Sequence, residues 1–156
     1  MTSALSDWPK TMEYAAIIKN FREKAGKSQR EMADLLGMTF MSYFDLELHD
    51  DELCSVPSLR QVKRMCDVFR ISPIELLTGN QQLDRLHAQI SFQALITKVK
   101  IHIAEKELTQ EECENEAGWR LSDYLTDPEK IWDEPIFFLQ DICKPLGIDW
   151  LATIPR

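Results

Sequence analysis

Glycine is scarce in this chain: only Gly26, Gly37, Gly79, Gly118 and Gly147 occur in 156 residues. Alternating β-branched runs are equally few, which argues for helices joined by short turns and against a sheet. No apolar run approaches the roughly eighteen residues a membrane span needs, and the opening MTSALSDWPK lacks the basic-then-apolar order of a secretory signal. Both absences predict a soluble, cytoplasmic protein with no membrane partner. Cys54, Cys66, Cys113 and Cys143 are scattered, with no CxxC pair and no histidine at ligand spacing, so buried thiols in a reducing compartment are expected and zinc is not. Positive charge is short too. Lys+Arg 18 against Asp+Glu 26 leaves −8, the wrong sign for coating nucleic acid indiscriminately.

Catalytic patterns are missing as well. There is no Ser/His/Asp order, paired-carboxylate motif or phosphate-cradling glycine loop, and His87 and His102 have no partner pattern for acid–base work. The string His49-Asp50-Asp51-Glu52 lacks the glycine and alternating oxygens of a calcium loop and reads as a solvated acidic loop. No enzyme, cofactor or metal site is expected.

What is present is helical patterning with clear punctuation. Tyr14, Ile17, Ile18, Phe21 and Ala25 form one stripe of a first helix that Gly26 ends. Ser28 and Glu31 bracket Gln29-Arg30 as a capping box, the serine hydroxyl and the glutamate satisfying each other's backbone donors. Met32, Leu35 and Leu36 are expected to bury that second helix. Gly37 supplies the left-handed residue of a sharp turn, and Thr39 caps a third helix running to about Glu47. After a polar loop to Val56, Pro57-Ser58 opens a helix with the stripe Leu59, Val62, Met65, Cys66 and Phe69. Ser72-Pro73 then opens a last short helix. Five helices fit this first part.

The plan repeats. Thr109 and Glu112 reproduce the Ser28–Glu31 box 81 residues on, and Gly118 and Tyr124 stand at the same offset from Gly37 and Tyr43. After a loop four residues shorter, Cys143 matches Cys66, and LGIDWL matches FRISPI. Five coincidences in register indicate a tandem repeat. The resulting division is an all-α chain with a five-helix domain at 10–78, a partly helical connector at 79–94 carrying Leu83, Leu86 and Ile90, and a second, degenerate domain at 95–156, whose first helix carries Val99, Ile103 and Ala104. Trp119, Trp132 and Trp150 lie in or beside the repeat framework and read as packing residues.

The string FREKAGKSQREMADLLGMT, then Glu47, then PSLRQVKRMCDVFRISPIELL resembles the helix-turn-helix domain of lambda-repressor-like regulators of the XRE/Cro type, over about residues 14–77. KVKIHIAEKELTQEECENEAGW and LQDICKPLGIDWL resemble it more weakly, with a third helix cut short by Asp127-Pro128. The resemblance implies a third helix lying in the major groove of double-stranded DNA. It implies Gln29 near a phosphate, Lys27, Arg30 and Thr39 assisting the docking, and Phe40, Met41 and Ser42 at the bases. It also places Phe44 and Asp45 on the groove side, and Tyr43 and Leu46 in the core.

The chemistry departs from that pattern in one respect. Arg or Lys reads guanine and Asn or Gln reads adenine, yet none of these types occurs between Thr39 and Asp45. The second copy offers Leu121, Ser122, Asp123, Leu125 and Thr126 with only Arg120 positive. Lys24, Lys27 and Arg30 surround the start of the second helix, and Arg60, Lys63 and Arg64 lie further on, either as phosphate contacts or as ion-paired surface. Residues 1–83 hold ten Lys/Arg against twelve acids, and 84–156 hold eight against fourteen. Two readings follow. One is a DNA-binding transcriptional regulator, a repressor or antitoxin-like autoregulator, with tandem copies or a homodimer presenting two helices. The other is an acidic interaction module that keeps the fold, with Phe40, Met41 and Phe44 as an apolar patch rimmed by Asp45, Asp50, Asp51 and Glu52 for a basic protein such as a toxin. Packing against the second copy is the remaining use for those aromatics.

Overall fold

A computed structural model describes residues 12–83 and 88–156. The described residues are helical and contain no strand. The first half comprises α1 (Tyr14–Lys24), α2 (Gln29–Leu36), α3 (Phe40–Leu46), α4 (Glu52–Ser55), α5 (Leu59–Phe69) and α6 (Pro73–Thr78). The second comprises α7 (Phe92–Glu105), α8 (Gln110–Ala117), α9 (Ser122–Thr126), a 3-10 helix (Pro128–Asp133), α10 (Ile136–Leu146) and a closing 3-10 helix (Trp150–Thr153).

Local chemistry explains most boundaries. Ser28, Ser58, Ser72, Ser91 and Thr109 each sit in extended backbone and accept, through the side-chain oxygen, the amide hydrogen three residues on. Ser28–Glu31, Ser58–Gln61 and Thr109–Glu112 complete the reciprocal box. At the other ends Gly37, Gly79, Gly118 and Gly147 close α2, α6, α8 and α10 in the left-handed conformation. Arg70 does the same for α5 at φ 58°, where the second half has Gly147 at φ 65°. Asp127 takes the extended backbone that a following proline imposes, so α9 stops there as expected.

Several expectations are corrected. The first half has six helices, not five, because α4 forms inside the segment read as loop. It forms because Leu53 finds a fully buried seat, and the 3-10 helix Pro128–Asp133 occupies the corresponding place in the second half. Leu35 is exposed, since α2 is only eight residues long and its buried stripe is Met32, Ala33 and Leu36. Helix α7 begins at Phe92, inside the expected connector, because Ser91 caps it and Phe92, Leu95, Ile96 and Val99 form its buried face. Ala104 is exposed and Ile103 only half-buried. In the connector Leu83 and Ile90 are partly buried, whereas Leu86 and His87, like residue 10 at the first boundary, lie outside the described residues.

The halves share one hydrophobic core. It runs without a break from Ile18, Met32, Tyr43 and Leu53 through Leu59, Met65 and Leu76 to Leu95, Leu121, Ile136, Phe138 and Leu139. Burying a side chain of that size stabilises the fold by about 1.5–3 kcal/mol. The first turn of α5 is stitched to the second half: the Leu59 amide donates to the Glu134 carbonyl at 2.8 Å. Arg60 pairs with Asp133 at 3.3 Å while its guanidinium lies over the Trp132 ring. The Ile90 amide donates to the Ala152 carbonyl at 2.8 Å, tying the connector to the closing 3-10 helix. Trp119 packs edge-on with Phe138 and Trp132 with Phe92, and Trp150 is buried, so these three tryptophans are packing residues.

Candidate nucleic-acid interface

Helices α2 and α3 are joined by Gly37, Met38 and Thr39. Gly37 at φ 65° lets the chain reverse direction within one residue, a backbone that side-chain-bearing residues rarely adopt. Thr39 then starts α3. Its hydroxyl accepts from the Ser42 amide at 3.1 Å and donates to the Ser42 hydroxyl at 2.9 Å. Thr39 is therefore engaged as a cap, and Ser42 retains a hydroxyl hydrogen to give away.

A buried polar cluster fixes α3 from behind. Arg22 on α1 grips Glu47 with both arms of its guanidinium, Nε to Oε1 at 2.5 Å and Nη2 to Oε2 at 3.1 Å. Its third nitrogen donates to the Lys27 carbonyl at 2.9 Å. Gln29 Nε2 and the Tyr43 hydroxyl donate to the same carboxylate at 3.0 and 2.9 Å. Only 2% of the Glu47 side chain meets solvent. Burial by itself would raise the Glu47 carboxyl, but the hydrogen bonds from Arg22, Gln29 and Tyr43 and the Arg22 charge outweigh it and hold the group below the ordinary glutamate value. The Tyr43 hydroxyl is pushed up, first by burial and then by the Glu47 charge. Tyr43 and Leu46 are fully buried, as expected of the inner face of α3.

This cluster changes what sequence reading assigned to Gln29. Glu47, unlike the acids that follow it in the chain, is internal and neutralised by Arg22. Gln29 was expected at a phosphate, yet one of its amide hydrogens is committed inward to Glu47. Arg22 was not singled out. The signal was available, since Arg22 stands four residues beyond Ile18 on the apolar stripe of α1, where a cation demands a buried partner. Its partner lies 25 residues away, on no local pattern.

The outer face holds the remaining candidates. Phe40 is 36% exposed, Met41 60% and Leu48 56%, and the half-buried Phe44 ring packs on Phe40 at 6.1 Å. These residues remain uncovered, so packing against the second half is not their use. The Arg30 guanidinium lies over the Phe40 ring at 5.2 Å. Lys24, Lys27 and Arg30 form no ion pair within 4.0 Å among the described residues. On α5 the basic residues are mostly spent: Arg60 on Asp133, Lys63 on Asp67, and Arg64 reaching the Leu35 carbonyl at 3.5 Å. The acidic rim shrinks as well, because Asp50 accepts the Ala15 amide at 3.0 Å and so serves the start of α1. Asp45, Asp51 and Glu52 remain.

The second half has no counterpart of this cluster among its described residues. Tyr124, 81 residues after Tyr43, hydrogen-bonds the Glu134 carboxylate, but no arginine joins the pair among the described residues. Leu121 is buried, Leu125 half-buried, and Ser122, Asp123 and Thr126 face solvent. His102 meets Glu116 at 3.2 Å across α7 and α8. Burial raises the Cys54, Cys66, Cys113 and Cys143 thiols, to about 12 for Cys66, and no cluster of metal-ligating side chains occurs among the described residues. A concavity of about 690 Å³ beside α5 and α6 is lined by Lys63, Asp67, Arg70, Glu75 and others and shares no residue with the α2–α3 face. No helix of the described residues is long and apolar enough to cross a membrane. Comparison with protein-family models, curated proteins and solved structures found no match.

Proposed function

We propose that the chain is a DNA-binding transcriptional regulator of the lambda-repressor-like XRE/Cro type, built from two helix-turn-helix domains in tandem of which the second is degenerate. Helices α2 and α3 are the reading unit, and double-stranded DNA is the partner. The supporting observation is the clamp behind α3. Arg22, Gln29 and Tyr43 converge on Glu47 and hold α3 against α1 and α2, with its outer face flanked by Lys27 and Arg30, which form no ion pair within 4.0 Å among the described residues. Lys27 and Arg30 contact phosphates in this reading, Phe40, Met41 and Ser42 approach base edges, and Thr39 and Gln29 hold α3 in place. The protein would act in the cytoplasm, as a homodimer where the operator is two-fold.

The exposed apolar strip of Phe40, Met41 and Leu48 favours a second reading, an interaction module for a basic protein. The engagement of Asp50 at the start of α1 weakens its electrostatic basis. Fluorescence anisotropy on sheared genomic DNA separates the two. A regulator binds non-specifically at about 10⁻⁴–10⁻⁶ M, with affinity falling steeply as salt rises. Lys27→Ala and Arg30→Ala should each lower the salt slope by about 1. Absence of binding at low salt would overturn the regulator reading and direct the search to a protein partner of the strip.

A further inference from the structure

The outer face of α3 has a narrow chemistry. Between Thr39 and Asp45 there is no Arg, Lys, Asn or Gln, the side chains that make paired hydrogen bonds to guanine or adenine. What projects outward from its first turn is apolar, with Asp45 further along: Met41 at 60% exposure, and Phe40 held in place by Phe44 on one side and Arg30 on the other. The major groove offers one apolar group, the C5-methyl of thymine. Beside that methyl stands the O4 acceptor, and beside Met41 stands Ser42, whose oxygen already accepts from Thr39 and whose hydrogen is left to donate. Cytosine would present a donor at that position instead. A helix about 10–12 Å across matches a groove about 12 Å wide, and Arg30, resting on Phe40, flanks that outer face.

We infer that α3 selects duplex DNA by seating thymine C5-methyl groups against Phe40 and Met41, with the Ser42 hydroxyl donating to thymine O4. The inference rests on the DNA-binding reading above and names what that site recognises. Specificity on this account comes from buried methyl groups, and affinity from Lys27 and Arg30.

The test is a binding-site selection with the full chain on two random-core duplex libraries, one synthesised with thymidine and one with deoxyuridine, which removes only the methyl. The thymidine library should enrich a thymine-containing motif strongly, and the deoxyuridine library the same motif only weakly, through the O4 acceptor that uracil keeps. That motif resynthesised with deoxyuridine should bind about fourfold more weakly for each methyl lost, the value of one buried carbon. Met41→Ala, at a position 60% exposed and outside the core, should discriminate the two forms of the motif less than the unmodified protein does, with the remainder carried by Phe40. Equal affinity of the unmodified protein for the two forms overturns methyl recognition while leaving DNA binding intact. Failure of both libraries to show salt-sensitive binding overturns the DNA-binding reading and this inference with it.

Discussion

Arg22 and Glu47 are 25 residues apart and meet in a two-armed ion pair with Nε 2.5 Å from Oε1, the arginine side chain 12% exposed and the glutamate 2%. The pair ties α1 to the end of α3, and through Gln29 and Tyr43 it ties both to α2. A charge so placed cannot lose its partner cheaply. Arg22→Ala should destabilise the fold by about 3–5 kcal/mol, because Glu47 would be left buried and unpaired. Urea unfolding of the variant checks this. The double variant Arg22→Met, Glu47→Leu should lose clearly less than the two single losses added together.

The same carboxylate predicts acid sensitivity. Its folded value is depressed, so its stabilising contribution is complete above the ordinary glutamate value of 4.5 and is lost as pH falls through the lower folded value. The urea midpoint should therefore drop as pH falls below about 4.5. Glu47→Gln should start less stable at neutral pH and decline less on acidification. Parallel decline of the two proteins would show that other carboxyl groups govern the response.

Arg70 and Gly147 end α5 and α10 with the same left-handed backbone. Only the glycine adopts it without a steric cost, which for other residues is about 1–2 kcal/mol. Arg70→Gly should thus leave stability unchanged or raise it by up to about 1 kcal/mol, whereas Gly147→Ala and Gly37→Ala should each lower it by about 1 kcal/mol. A methyl group at Gly37 or Gly147 meets no atom within 4 Å, so the loss comes from the backbone alone. Thermal denaturation of the three variants gives the comparison.

One core across both halves predicts one unfolding event. Far-UV circular dichroism reports helices throughout, while Trp119, Trp132 and Trp150 report on the second half, and the two signals should change at one midpoint. Leu53→Ala, in α4 and fully buried, should cost about 2–5 kcal/mol and move both signals together. Separate midpoints would mean that the halves unfold independently.

Sequence alone determined the local punctuation. The boxes at Ser28 and Thr109, the cap at Thr39, the left-handed turns at Gly37 and Gly118 and the early stop of α9 at Pro128 were all legible. Each depends on a hydrogen bond or a steric limit within one turn of chain, which residue types and short spacings encode directly. Tertiary structure alone decided the rest: Glu47 turned inward to Arg22, Asp50 drawn to the start of α1, α4 formed over Leu53, and Leu59 bonded to Glu134 across the halves. A carboxylate counted in the sequence is only a charge. Whether it rims a surface or neutralises a buried arginine depends on which helix faces meet, and that is set by the packing of residues far apart in the chain.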